Sequence, residues 1–291
     1  MRVAVLVDAP EWHARALIDS FAKLRVQATA LRLGDCAFDT RRESGVVIPQ
    51  FADALPDAVL VRAIGGGSFE EVTRRLGVLH ALRELGVPVW NDARAIERCV
   101  DKSMASFLLA RAGVATPPTW AVEGLAAAQA IAARETRDGP LVLKPLFGAM
   151  GRGLQLIEAA DDLPGPETVS GVYYLQRYVP PGARGFCDYR LLVCRGEVIA
   201  GMTRHAPVWI TNIGRGGRPE RLLPEAGLWA LALRAAAAVG ADYAGVDLVR
   251  GQDGEPQVLE VNSMPGWKGL QQVTPVAIAD RIAAAFIAAL G

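Results

Sequence analysis

The sequence predicts a mixed α/β (α+β) protein that opens with a parallel sheet flanked by helices. Short apolar strands alternate with amphipathic stretches up to about Asp92, which is the pattern of strand-helix-strand units. Further on, strands surround a glycine-rich loop, and the chain closes with two strands joined by an Asp-Gly turn and followed by a helix.

Val3–Val7 reads as the first strand, leaving on Asp8. An amphipathic helix is predicted over Trp12–Leu24, a strand over Ala58–Ala63, a helix over Phe69–Leu85 and a strand over Val87–Trp90. Gly65-Gly66-Gly67 lies between a strand and a helix, where backbone amides can cradle a phosphate. It lacks the G-x-G-x-x-G spacing, and a plain strand-to-helix turn beside a ligand cleft fits the pattern better. Asp101-Lys102-Ser103 opens a helix that reaches Ala112 and stops at Gly113; Thr116–Trp120, with its Pro117-Pro118 pair, reads as an extended connector. A boundary near residue 98 divides the chain into 1–97 and 98–291, the second part comprising a central segment of about 115–182 and a C-terminal one of about 183–291. The central segment holds an Ala-rich helix, Leu125–Arg134, and strands Pro140–Lys144 and Leu154–Glu158 around the glycine loop. Ala226–Gly240 and Pro275–Leu290 read as helices.

With 31 Lys plus Arg against 31 Asp plus Glu, nothing in the overall charge argues for a nucleic-acid or membrane-surface partner. The first apolar run is too short for a signal peptide, and no stretch approaches the roughly 20 apolar residues that span a bilayer, so a cytoplasmic location is expected. The four cysteines, Cys36, Cys99, Cys187 and Cys194, have no paired metal spacing and read as reduced thiols, mostly in the core.

The final hairpin is the most informative segment. A turn centred on Asp253-Gly254 pairs Asp247 with Glu260, and side-chain alternation puts Asn262 on the same face. Two carboxylates about 5 Å apart at Cβ repel unless a cation lies between them, and carboxylate and amide oxygens suit Mg²⁺, which takes its remaining ligands from water and phosphates. An ordinary solvated hairpin with an acidic outer face is the alternative. Lys144 ends the apolar strand Leu141–Lys144 and is followed by Pro145-Leu146-Phe147-Gly148-Ala149-Met150-Gly151-Arg152-Gly153. A strand follows this loop and the G-K-[ST] ending is missing, so it reads as a mobile flap over a polyphosphate and not as a Walker loop, or else as a hairpin beside a surface lysine. Tyr173–Val179 is an apolar strand running into Pro180-Pro181.

Taken in order, Lys102, Lys144 with its loop, Gln176–Val179, Asp188-Tyr189-Arg190, Arg204, Thr211-Asn212, Asp247 and Glu260-Val261-Asn262 resemble the ATP-grasp superfamily. More narrowly the chain is similar to the RimK/LysX group of amino-acid ligases, which adds glutamate to ribosomal protein tails, to the LysW carrier protein and to one-carbon coenzymes such as tetrahydromethanopterin. The resemblance covers nearly the whole chain and implies an ATP-grasp fold behind a pre-ATP-grasp domain that exits at Trp90-Asn91-Asp92. It implies ATP contacts from Lys102, Lys144, Gly148, Gly151, Arg152, Gly153 and Gln176, with adenine received by the backbone around Arg177, Tyr178 and Val179 and ribose by Asp188. Asp247, Glu260 and Asn262 match the ligands of Mg²⁺, or of Mn²⁺ in its place, and Arg204, Asn212 and Arg215 match the place that holds the transferred phosphate and acyl group. Ile210 stands where the ribosomal-tail branch has arginine, which favours the coenzyme and lysine-biosynthesis branches. Lys268 beside Trp267 could hold an acceptor carboxylate, or both could belong to a surface loop.

The implied activity is ADP-forming amide synthesis through an acylphosphate, with ATP, glutamate and a carboxylate acceptor as partners and with no nucleic acid or membrane. A homo-oligomer is implied as well. Repeated glutamate addition follows only from the resemblance. Ligation onto a protein tail or carrier protein, a peptide ligase of the glutathione or D-alanine type, and a nucleotide-binding regulator without turnover are the alternative readings.

Overall fold

A computed structural model describes residues 1–291 apart from Pro10, Ala52, Asp53, Ala149 and Met150, the last two belonging to the predicted glycine loop. The strands are β1 Arg2–Val7, β2 Gln27–Arg32, β3 Ala37–Phe38, β4 Val46–Val47, β5 Ala58–Val61 and β6 Val89–Trp90, then β7 Thr119–Glu123, β8 Leu141–Lys144, β9 Gln155–Ile157 and β10 Val172–Arg177. The last five are β11 Cys187–Cys194, β12 Glu197–His205, β13 Arg218–Arg221, β14 Tyr243–Arg250 and β15 Pro256–Asn262. The helices are α1 Trp12–Lys23, α2 Phe69–Glu84, α3 Ala93–Val100, α4 Lys102–Arg111, α5 Leu125–Glu135, α6 Ala226–Val239, α7 Lys268–Gln271 and α8 Ile278–Ala288.

The first sheet is parallel, in the order β2-β1-β5-β6, as the strand-helix alternation predicts. Its strands β1, β5 and β6 are apolar and buried almost throughout, as strands of a parallel sheet require, while β2 forms a more polar edge. Ser68 caps α2 through a reciprocal box with Glu71, which commits the Ser68 and Glu71 amides just after the Gly65–Gly67 turn. Two antiparallel sheets follow, β7-β10-β8-β9 and β13-β12-β11-β14-β15. Thr119–Glu123, partly read as connector, is a strand paired along β10, because its backbone leaves Pro117-Pro118 already extended.

Residue 98 falls inside α3, so the sequence boundary cuts a helix. The core does not break there either. Val3, Leu17, Phe21 and Trp90 pack in one cluster with Tyr243, Trp267, Ile282 and Phe286, and the Phe286 ring meets Phe21 and Trp90 edge-on at 5.6 and 5.3 Å. The C-terminal helix thus completes the apolar layer under the first sheet. Asn91 adds a polar staple: fully buried, it donates to the Tyr243 and Ser263 carbonyls and accepts from the Asp242 and Tyr243 amides. All four cysteines are free, with Cys36, Cys99 and Cys194 buried. Among the described residues no helix is long and apolar enough to cross a membrane.

Candidate functional site

The three sheets border one cleft of about 1140 Å³. Its floor is the β14/β15 hairpin, whose loop differs from expectation. Arg250 pairs with Pro256, so residues 251–255 form the loop instead of a two-residue turn at Asp253-Gly254. A bulge then shifts the register between Asp247 and Leu248, and this extra residue on β15 restores the pairing of Asp247 with Glu260 and of Gly245 with Asn262. The predicted pair is therefore present for a different reason.

The expectation that these facing carboxylates need a metal between them is corrected by the neighbouring strands. In β11, Arg190 faces Asp247 across one ladder, while Asp188 faces Arg204 across the other. Arg190 holds Asp247 in a fork, Nε to Oδ1 at 2.6 Å and Nη2 to Oδ2 at 2.5 Å, and Arg204 Nη2 lies 3.1 Å from Asp247 Oδ1. Arg204 also grips both oxygens of Asp188. Burial pushes the Asp247 carboxyl up, yet Arg190 and Arg204 outweigh it and hold the group below the usual carboxylate range. Asp188, expected at a ribose, is only 5 % exposed with its carboxylate committed to Arg204. Arg204, expected at the transferred phosphate, is 3 % exposed between the two aspartates. Sequence reasoning assigned no role to Arg190, although it stands two residues from Asp188 on the same strand face.

Glu260 is different. Half-buried, it has no hydrogen-bond or ion-pair partner among the described residues, and the Asn262 Nδ2 is buried without one. A carboxylate offers about four lone-pair positions, of which Asp247 uses three. The donor set of Glu260, Asn262 with its amide in either orientation, and the remaining Asp247 position fits a hard cation. Arg190, Arg204, Lys102 and Lys144 outnumber Asp188, Asp247 and Glu260, so the cation fits best in company with an anion.

The two buried lysines stand near enough to Glu260 to feel its charge. Lys102 is the first residue of α4, whose start is fixed by Asp101 accepting from the Ser103 and Met104 amides. Its ammonium donates to the Leu146 and Gly148 carbonyls at 3.3 and 2.9 Å, tying down the glycine loop and leaving one donor over. Lys144 donates to Gln176 Oε1 at 2.6 Å, and Gln176 is steadied by Thr119 and Tyr174. Burial lowers both lysines from their ordinary value, Lys144 to about 8, with Glu260 pulling the other way.

Val142, Tyr178, Phe186, Met202, Trp209 and Leu259 supply the apolar lining, with the Tyr178 and Trp209 rings edge-on at 6.1 Å. Arg177 turns its guanidinium away to Glu135 and the Gly139 carbonyl. The Arg177 and Tyr178 amides are spent on the Pro118 and Pro140 carbonyls, so the open donor of that segment is the Val179 amide. At the rim, Arg215 donates to the Gly151 carbonyl at 3.3 Å, and Asn212 Oδ1 lies directly against Gly151. With φ of +66° and no room for a Cβ, Gly151 is what lets the flap approach Thr211-Asn212 so closely. Arg152 and Gly153 are exposed beside it. Sequence reasoning also missed Glu11 and His13 at the start of α1 and Arg62 just after β5, which line the cleft; no spacing links them to residues more than 200 positions away.

Residues 99–286 match the RimK-like ATP-grasp domain family. The tetrahydromethanopterin:alpha-L-glutamate ligase of Methanococcus maripaludis is 35 % identical over 97 % of this chain and 96 % of its own length. Its counterpart from Methanosarcina acetivorans is 30 % identical over 91 % and 92 %. Among solved structures, the ATP-grasp ligase PsnB complexed with minimal precursor, Mg and ADP superposes with a TM-score of 0.75 at 20 % identity, covering 99 % of this chain and 97 % of that one, which is a likeness of fold.

Proposed function

The chain belongs to the RimK-like ATP-grasp family, and on that premise we propose that it is an ADP-forming ligase joining L-glutamate to a carboxylate-bearing, coenzyme-like acceptor. The observation that carries this reading is the meeting of two buried lysines with Glu260, which has no partner among the described residues, in a cleft that also has an apolar lining. At about 1140 Å³ the cleft exceeds the roughly 300–1000 Å³ of a single-ligand site, leaving space for a nucleotide beside a second substrate. The pterin acceptor named for both methanogen relatives suggests a flat, carboxylate-bearing molecule of that kind.

In this reading an oxygen of the acceptor carboxylate attacks the γ-phosphorus of ATP and ADP departs. The glutamate nitrogen then attacks the acyl carbon, and the C–O bond breaks with its electron pair leaving on phosphate. Lys144 and the remaining Lys102 donor offset charge on the phosphoryl oxygens, aided at the rim by Arg152. Arg204 and Arg190 act from below, fixing Asp247 in place. Asn212 and Arg215, held against Gly151, close the flap over the reacting carbon and exclude water. Mg²⁺, or Mn²⁺, held by Asp247, Glu260 and Asn262 would supply Lewis-acid neutralisation of the phosphates. The base falls among the apolar groups around Tyr178 and Trp209, with the Val179 amide open to its edge.

The test is ADP release by the purified protein with ATP, Mg²⁺, glutamate and a panel of acceptors including pterin and furan coenzyme precursors, amino acids and carrier peptides, together with product mass. Acceptor mass rising by glutamyl units in wild type, and abolished in Glu260→Ala, is the expected result. Nucleotide binding without turnover on any pair would instead favour a regulatory protein.

A further inference from the structure

Glu11 immediately precedes α1 and reaches in two directions. Its Oε2 lies 3.2 Å from His13 Nδ1, and its Oε1 lies 3.1 Å from Arg62 Nε, an ion pair whose N–H is not aligned for a hydrogen bond. Each partner then grips the same distant stretch. Arg62, 6 % exposed, donates Nη1 to the Met264 carbonyl at 2.9 Å, with its guanidinium 5.2 Å from the Trp267 ring centre. His13 Nε2 accepts from two successive amides, Trp267 at 3.0 Å and Lys268 at 3.2 Å. Those two bonds settle the tautomer: Nε2 carries no proton, so Nδ1 does and donates to Glu11. The imidazole is further confined by Trp12 and Trp267, edge-on at 5.2 and 4.6 Å.

One carboxylate at the start of α1 therefore braces both ends of Met264–Lys268, the turn that follows Asn262 and lines the cleft through Met264, Pro265, Gly266 and Lys268. Among the described residues no hydrogen bond, ion pair or ring contact joins this brace to Lys102, Lys144, Tyr178 or Trp209, at which the nucleotide is placed. Of the residues this turn brings to the cleft, Lys268 carries the charge, which suits a carboxylate-bearing substrate. We propose that Glu11, His13 and Arg62 are positioning residues that fix the Met264–Lys268 turn and thereby set the affinity for the carboxylate substrate while leaving that for the nucleotide unchanged. Only the naming of the substrate rests on the ligase reading; the bracing itself does not.

The brace requires a neutral imidazole. The groups facing His13 are Glu11 before α1, Arg62 after β5 and Lys268 on α7. Burial first, then the charges of Arg62 and Lys268, lower its pKa from 6.5, while Glu11 opposes them. Neutral His13 thus prevails at pH 7, and acid converts the acceptor to a donor, stranding both amides.

Two variants test this on the full-length protein. His13→Leu removes the acceptor, whereas His13→Gln offers an amide oxygen at similar reach and cannot gain a proton. With amide hydrogen exchange read at Trp267 and Lys268, His13→Leu is expected to exchange about tenfold faster at both, and His13→Gln to stay near wild type. Between pH 7 and 5, after correction for intrinsic exchange, wild type should lose this protection and His13→Gln should keep it. In turnover, KM for the carboxylate substrate should rise about tenfold in His13→Leu, with KM for ATP and kcat little changed. The proposal is overturned by unchanged exchange in His13→Leu, by equal loss in both variants, or by a KM for ATP that rises in parallel. Absence of glutamate-dependent turnover in wild type would sink the ligase reading separately, and the exchange results would still decide the bracing.

Discussion

Nucleotide affinity should fall as pH rises through the window set by Lys144. Burial, the dominant influence, lowers its ammonium to about 8, because Lys144 is buried at the end of β8 with Gln176 as its hydrogen-bond partner. A polyphosphate beside it stabilises the charged form and raises the pKa in the complex, so binding takes up a proton wherever the free enzyme has lost it. The sign follows directly: affinity is complete below about pH 8 and is lost above it. A pKa of about 8 leaves roughly nine-tenths of free Lys144 protonated at pH 7 and roughly one-tenth at pH 9, so the association constant should drop about tenfold, or about 1.4 kcal/mol. Burial lowers Lys102 in the same direction. Phosphate ionisation, complete above roughly pH 7, does not interfere. Calorimetric titration of Mg·ADP from pH 7 to 9, in buffers of different ionisation enthalpy, reads both affinity and proton uptake. Lys144→Arg, whose guanidinium stays charged throughout, should flatten most of the dependence. A wild-type affinity constant over this range, or an Arg variant with an identical slope, would refute the placing of phosphate at Lys144.

Two further outcomes are expected. Asn91→Ala strands two carbonyls and two amides at the start of β14 and the end of β15, and should cost about 3 kcal/mol or more in urea unfolding; an unchanged midpoint would show that the staple is redundant. A Cβ at Gly217 would overlap the Thr211 carbonyl oxygen, which as backbone cannot give way without moving Asn212 and the Gly151 contact. Gly217→Ala should therefore reduce kcat on the order of 10–100-fold with little change in melting temperature, and a fully active variant would remove Asn212 from the reaction.

Long apolar periodicities made most of this fold legible. β1, α1, β5, α2, α6 and α8 each bury a continuous stripe, and each lies within a few residues of its predicted span. Edge strands were harder. β2 is an edge strand whose interior residues are mostly half-buried and whose exposed residues are its two ends, so Gln27–Arg32 shows little alternation, and β7 hides behind two prolines. The hairpin shows how local rules can reach a correct pair by an incorrect route: the loop is longer than an Asp-Gly turn, and only the bulge brings Asp247 back opposite Glu260.

What the sequence determined by itself was the inventory of the cleft in chain order: two lysines, a glycine flap, an Arg-rich strand pair and an acidic hairpin ending in Asn262. Only the tertiary structure decided who pairs with whom. The strand order β12-β11-β14 sets Arg204 against Asp188 and Arg190 against Asp247, so that the Asp247 carboxylate, an expected metal ligand, is also held by two guanidiniums. In the same way Glu11, His13 and Arg62 come to brace a turn some 200 to 250 residues away. Hydrophobic patterning is local and can be read along the chain, whereas a charge's partner is fixed by sheet order and by packing between distant elements, which no local spacing records.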